Sequence, residues 1–276
     1  MRPSNTVVFC AIDDLVPLSG NPLTGFPEFL DALAGRSIPA IWVTSRNRHQ
    51  LDAAIRRLGH AEPFIAEGGS GVYLPLDYFH LKPERTVRLG RFTCIPIAAP
   101  QPAAEEGLEL VAEEAGISVV PLRSLSAREL MQNTGLSRQE AEAARQRDFD
   151  ELFFFAGASE KDIQTFRQRA EHHGFAVRAV GGLWSLAVNA NVRTAVQQLC
   201  KLYDRALHAH TFTVAVGTTT DAADLAKSCD RALLLRQRSS NKIPAASADR
   251  PAPKHLPLFS ADTWILALEA IEKRQF

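Results

Sequence analysis

Three short runs hold the side chains with the most chemical reach. Asp13 and Asp14 interrupt TVVFCAIDDLVPL (6–18), Thr44, Ser45 and Arg46 end AIWVTSR (40–46), and Asp221 lies in GTTTDA (217–222). An apolar run that stops at polar residues is the pattern of a strand buried on both faces, whose carboxyl end opens on a ligand crevice. Carboxylates there could bind a cation or move a proton, and hydroxyls beside a guanidinium could hold an oxyanion. Plainer readings stand beside these: Asp13 and Asp14 as turn or helix caps, and 44–46 as an ordinary turn.

A second set of residues is less pointed. Arg145 and Arg147 flank Gln146 near Asp148 and Asp150, either as a solvated salt-bridge cluster or as a bidentate clamp for an anion. Glu67-Gly68-Gly69-Ser70-Gly71 reads as hairpin geometry. His172-His173 and His208-x-His210 lack a third ligand at matching spacing and read as surface histidines. Phe153-Phe154-Phe155 reads as core strand, while Trp184 and Trp264 either line a cleft or fill a core.

The elements that must position these groups follow from periodicity. Strands are expected at 7–10, 40–44, 64–66 and 72–74, with helices over 26–33 and 49–58 between them, which is the alternation of a parallel sheet. From about residue 83 the pattern changes. A strand is expected over 91–97, a helix over 101–115, and helix starts at two capping boxes, Ser126-x-x-Glu129 and Ser137-x-x-Glu140. A strand (151–155), a helix (160–173) and two strands (175–180, 184–188) complete this block. The first pattern then returns with a helix (192–203), a strand (211–216), a helix (221–228), a strand (231–235), a surface loop (238–258) and a closing helix (262–273). The expected fold is α/β: a doubly wound, Rossmann-like core over 1–82 and 188–276, carrying an inserted α+β cap over 83–187.

Composition narrows the function classes. The 276 residues carry 31 basic and 31 acidic side chains, so no net field points to nucleic acid or to an anionic membrane. Cys10, Cys94, Cys200 and Cys229 are scattered without C-x-x-C spacing, which argues against a disulfide framework or a zinc site and for a reducing, cytoplasmic setting. No apolar stretch approaches the ~18 residues of a membrane span.

The segments VTSRNRHQLDAAIRRLG (43–59), PFIAEGGSGVYLP (63–75) and LSARELMQNTGLSRQEAEAARQRDFDELFFF (125–155) carry a more specific signal. With the order of elements, they resemble the haloacid dehalogenase-like (HAD) phosphatases with an inserted α/β cap, and within these the mannosyl-3-phosphoglycerate phosphatases. The resemblance implies an aspartate nucleophile, a second aspartate as general acid and base, a hydroxyl and a lysine on the phosphoryl oxygens, and Mg²⁺. The nucleophile position is Ala11 and the general-acid position is Asp13. The next position, a glycine in the family, is Asp14, whose charge would repel a phosphomonoester. The hydroxyl position is Thr44. The lysine position falls at Val192 in NANVRTAV, with Arg193 turned about 100° away on a helix. The metal-loop aspartates are replaced by Thr218 and Ala222, and Asp221 takes the place of an asparagine.

A methyl group can neither attack phosphorus nor bind a metal, so the expectation is an impaired or inactive phosphatase, a pseudoenzyme by family. It would retain a phosphorylated or carboxylated sugar compound through Thr44, Ser45, Arg46, Arg145 and Arg147, with Mg²⁺ weakly bound or absent. Two alternatives stay open: a phosphatase whose metal is gathered by Asp13, Asp14 and Asp221, and a role in binding a protein partner.

Overall fold

The computed structural model describes residues 5–80, 83–236, 252–260 and 262–276. In its first third, β1 (Thr6–Ala11), α1 (Phe26–Ala34), β2 (Ala40–Val43), α2 (Arg48–Arg57) and β3 (Phe64–Ala66) alternate as the apolar pattern requires, and β4 (Gly71–Pro75), β5 (Val87–Leu89) and β6 (Phe92–Pro96) follow. The middle holds α3 (Gln101–Ala115), β7 (Val119–Pro121), α4 (Ala127–Thr134), α5 (Arg138–Ala144), β8 (Asp150–Phe155), α6 (Glu160–His172), β9 (Phe175–Val180) and β10 (Leu183–Val188). The last third is α7 (Val192–Leu207), β11 (Phe212–Thr218), α8 (Ala223–Ala226), β12 (Arg231–Arg236), β13 (Lys254–Pro257) and α9 (Thr263–Lys273).

The core is a nine-stranded sheet in the order β13-β12-β11-β1-β2-β3-β4-β6-β5, parallel from β13 to β3 and antiparallel beyond. β1 sits between β11 and β2 and is buried at every residue. Its side chains alternate between two apolar layers, because successive residues of a strand point to opposite faces. Val8 and Cys10 join Phe26, Phe29 and Trp264 on the α1/α9 side, while Val7, Phe9 and Ala11 join Ala195, Val196 and Leu225 on the α7/α8 side. Trp264 therefore fills the core, with its indole N–H donated to Thr24 O at 2.9 Å.

The second sheet is antiparallel, β7-β8-β10-β9, with α3 and α6 on one face and the layer around Leu130, Ala141 and Leu152 on the other. Phe153 is fully buried in it, and Trp184 packs edge-on against Phe155. Both expected capping boxes are formed, at Ser126/Glu129 and Ser137/Glu140, each satisfying helix-start amides that would otherwise lack partners.

Two features differ from the sequence reading. β5 and β6 fall within the block expected as cap from residue 83, yet they hydrogen-bond onto β4 in the first sheet, so the second sheet and its helices begin at α3. Residues 254–257, expected inside a surface loop, are strand β13, an edge strand carried by four register pairs with β12. The part of that loop over 237–251 lies outside the described residues. Among the described residues no helix is long and apolar enough to cross a membrane.

Candidate functional site

β1 and β11 run side by side and end at the mouth of a cleft of about 750 Å³ between the two sheets' domains. At this floor the chain places Ala11, Gly217 and Ala222 against one another. A Cβ added to Gly217 would lie 2.8 Å from the methyl carbons of both alanines. Ala11 is 2% and Ala222 0% exposed, and Val192 packs against the same apolar layer. Two of the positions where the family resemblance calls for charged groups, Ala11 and Ala222, are therefore buried methyl groups against Gly217, and a third, Val192, is partly buried against the same layer. Arg193, one residue on from Val192, is exposed.

Beside this contact lies a compact polar arrangement. The Asp13 carboxylate accepts from the Thr44 hydroxyl, from the Ser45 backbone N–H at 2.8 Å and from the Ser45 hydroxyl. Arg46 closes over it: Nη2 donates to Asp13 O at 2.9 Å, Nη1 to Val16 O at 2.5 Å, and Nε lies 3.5 Å from Asp13 Oδ1. A hydroxyl, a backbone amide and a guanidinium converging on one point is an oxyanion site, and its occupant is the protein's own carboxylate. Asp13 thus lines the cleft floor with both carboxylate oxygens already held by Thr44 and Ser45.

The other two aspartates complete the floor. Asp14 accepts from the Thr218 hydroxyl, and Asp221 Oδ2 accepts the backbone N–H groups of Asp13 (2.9 Å) and Asp14 (3.4 Å). Burial, and then the charges of Asp13 and Asp14, push Asp221 up from 3.8 to about 7. These donor sets do not fit Mg²⁺. The oxygens of Asp13, Asp14 and Asp221 already accept protein hydrogen bonds, and no group of three or more His, Cys, Asp or Glu among the described residues is arranged to hold a metal.

On the cap side, Arg145 does not line the cleft; its Nη2 donates to Arg123 O at 3.0 Å. Arg147 does reach the cleft but is 3% exposed and fully paired. Its Nε and Nη2 meet Asp150 at 2.5 and 2.7 Å, Nη2 also donates to Ser45 O at 2.8 Å, and Nη1 to Gln50 at 3.2 Å. Two arginines that the sequence reading did not single out, Arg167 and Arg178, also line the cavity.

Comparison with known proteins bears on the fold that carries this site. No family model matches the chain. It is 24% identical over 219 residues, 78% of this chain and 79% of the relative, to a glucosyl-3-phosphoglycerate/mannosyl-3-phosphoglycerate phosphatase of Methanococcoides burtonii. A protein of the same description from Persephonella marina is 24% identical over 209 residues, 75% of each chain. Among solved structures, a HAD-superfamily phosphatase from Bacteroides thetaiotaomicron superposes with a TM-score of 0.64 at 13% identity, over 99% of this chain and 97% of that one. A HAD subclass IIB sugar phosphatase gives 0.60 at 11% identity, over 97% and 99%. The chain has the fold of the HAD-superfamily phosphatases. Its resemblance to the mannosyl-3-phosphoglycerate phosphatases holds across both core and cap.

Within this HAD fold the turn at 67–71, expected as plain hairpin geometry, is the hub where cap meets core. Glu67 is buried, and its carboxylate accepts the N–H groups of Asp148, Phe149 and Asp150 at 3.1, 2.9 and 3.0 Å. Burial pushes this carboxyl up, while Arg147 and those amides favour its charged form. Ser70 O receives the amides of Ile97 and Ala98, and Gly69 O that of Asn191, so both chain crossings dock on this one turn. Gly69 must lack a side chain, since a Cβ would stand 2.5 Å from Val192 N. The available signal was a lone glutamate between a buried strand and paired glycines; Arg178 likewise interrupts an otherwise apolar strand, FAVRAV (175–180).

Proposed function

We propose that this chain binds a sugar-sized carboxylated compound in the core–cap cleft and does not hydrolyse phosphate esters through an aspartyl-phosphate. The observation that carries the reading is the Asp13 carboxylate seated on Thr44 and Ser45. A phosphomonoester arriving there must displace an internal anion already matched to those donors. It must also approach Asp14 and Asp221, and a like-charge contact at 4 Å costs roughly 4 kcal/mol at an effective dielectric of 20. With the ester displaced from the floor, the covalent route has no acceptor either, because residue 11 offers only a methyl group.

The ligand class follows from what remains. The relatives are described as acting on glucosyl- and mannosyl-3-phosphoglycerate. Without the phosphoryl group such a molecule is a glycoside of glycerate, an array of hydroxyls with one carboxylate. A cleft of about 750 Å³ lined by both acidic and basic side chains suits that size and polarity.

The test uses purified full-length protein. With Mg²⁺ and either phosphoglycerate glycoside, no phosphate release above background is expected, and turnover of ~1 s⁻¹ or more overturns the reading. In calorimetry, glucosylglycerate or mannosylglycerate should bind with a micromolar Kd; no heat with either removes the ligand assignment.

A further inference from the structure

Four guanidinium groups open onto the cleft, and they are not equivalent. Arg46 is matched to Asp13, and Arg147 to Asp150. Arg167 lies at the exposed rim, 6.0 Å above the Trp184 ring. Arg178 alone of the four is largely buried yet has no carboxylate of the described residues within 4.0 Å. Its two contacts are neutral: Nη1 donates to Gly68 O, and Nη2 to Ala190 O at 3.3 Å. A guanidinium carries five N–H donors in a planar fork, so several of its donors face the cavity unmatched.

The backbone is shaped to hold it there. Gly68 has φ +62°, and a Cβ at that position would lie 2.5 Å from Arg178 Nη1. The missing side chain lets the guanidinium rest on the hub turn, and the second carbonyl fixes its plane. A largely buried cation outside any close ion pair is costly: burial pulls the Arg178 pKa down, and the more distant charges of Asp224 and Asp150 offset that only in part. An anion arriving from the cavity would remove that cost. The floor repels the same anion more strongly, since Asp13, Asp14 and Asp221 crowd it and, among the described residues, Arg46 is paired there with Asp13 alone, whereas Asp224 is the carboxylate lining the cavity that acts on Arg178.

We propose that Arg178 on β9 is the oxyanion-binding residue of this cleft, holding the carboxylate of a sugar-acid ligand against the cap while the ligand's hydroxyls face Asp14 and Asp221. The inference rests on the ligand reading of the cleft given above. It reverses the polarity that a phosphatase floor requires: the anionic end lies under the cap, and the neutral end over the carboxyl ends of the strands.

The experiment compares glucosylglycerate with its carboxamide, a neutral molecule of the same shape, by calorimetry on full-length protein. The natural chain should prefer the carboxylate by about 30-fold, the weight of a charge-assisted pair. Arg178→Gln should abolish that preference, and Arg178→Lys should restore part of it. Arg145→Gln, on a residue away from the cleft, should change nothing. Equal affinity of the natural chain for the two compounds overturns the proposal without any variant, as does an undiminished preference in Arg178→Gln. If neither compound binds the natural chain, the ligand reading falls and this inference with it; binding without an Arg178 effect removes this inference alone.

Discussion

The cap–core junction and the floor of the cleft each bury carboxylates beside an arginine, and they balance that charge differently. At the junction, Arg147 forms a two-point pair with Asp150 and lies 3.9 Å from Glu67, whose oxygens also take three backbone amides. Asp148 next to it is paired with Arg48 at 2.8 Å and receives the Tyr73 hydroxyl at 2.8 Å. Every acid there has a dedicated cation or a set of donors. At the floor, Asp13 alone of three aspartates is paired with a guanidinium, while Asp14 rests on the Thr218 hydroxyl, Asp221 on two backbone amides, and the methyl groups of Ala11 and Ala222 add no charge. The difference teaches that the fold keeps its polar framework where it fixes the cap on the core. Where chemistry would occur, the same framework is closed by internal contacts and left with surplus negative charge.

The largest effect should come from breaking the balanced region. Arg147→Ala strands Glu67 and Asp150 in a dry setting, where loss of one partner costs about 4 kcal/mol. Urea unfolding should show that loss, and a change under ~1 kcal/mol would mean that the junction pair behaves like a surface one.

Next comes the floor. Ala11→Asp places a fourth carboxylate against Gly217 and Ala222, combining overpacking with an unmatched charge, and should cost about 3 kcal/mol. Mg²⁺ should leave the melting temperature of the natural chain unchanged. The triple variant Ala11→Asp, Thr218→Asp, Ala222→Asp should melt lower than the natural chain without metal and gain stability with Mg²⁺. A Mg²⁺-induced rise in the natural chain would erase the contrast drawn here.

The smallest effect sharpens the comparison by pH. Asp221 is held up near 7 in the folded state against 3.8 when free, so its contribution to stability is complete below about pH 4 and is lost as pH rises through 7. Asp221→Asn keeps an oxygen for the two amides and cannot ionise. Its stability curve should therefore lack this decline and lie above the natural one by on the order of 2 kcal/mol at pH 8. Parallel curves would show that Asp221 is ionised throughout.

Much of the fold was legible before any coordinates. Apolar runs such as 7–10 and 40–43 can only be doubly buried strands, and Ser-x-x-Glu pairs fix helix starts by local hydrogen bonding, so these elements follow from near neighbours in the chain. β13 was missed because KHLP (254–257) carries no strand pattern of its own; its pairing is supplied by β12. The strand expected over 91–97 (β6) was given to the cap because a strand's sequence does not say which sheet it joins, and β5, three residues long, was not expected. At the site, the residue types at Ala11, Val192, Thr218 and Ala222 were legible, and their departure from the resembled pattern was the expectation drawn from them.

Residue types alone set the expectation that Ala11, Val192, Thr218 and Ala222 stand where the resemblance calls for a nucleophile, a lysine and metal-loop aspartates, since what a side chain lacks can be read without geometry. Three-dimensional packing decided what those positions and their neighbours do instead. It turned Asp13 back onto Thr44 and Ser45, matched Arg147 to Asp150, moved Arg145 out of the cleft, and left Arg178 facing the cavity beside Gly68. The physical reason is range: these partners lie between three and 110 positions apart in the chain, and whether a charge is satisfied depends on which distant donor the fold brings to it.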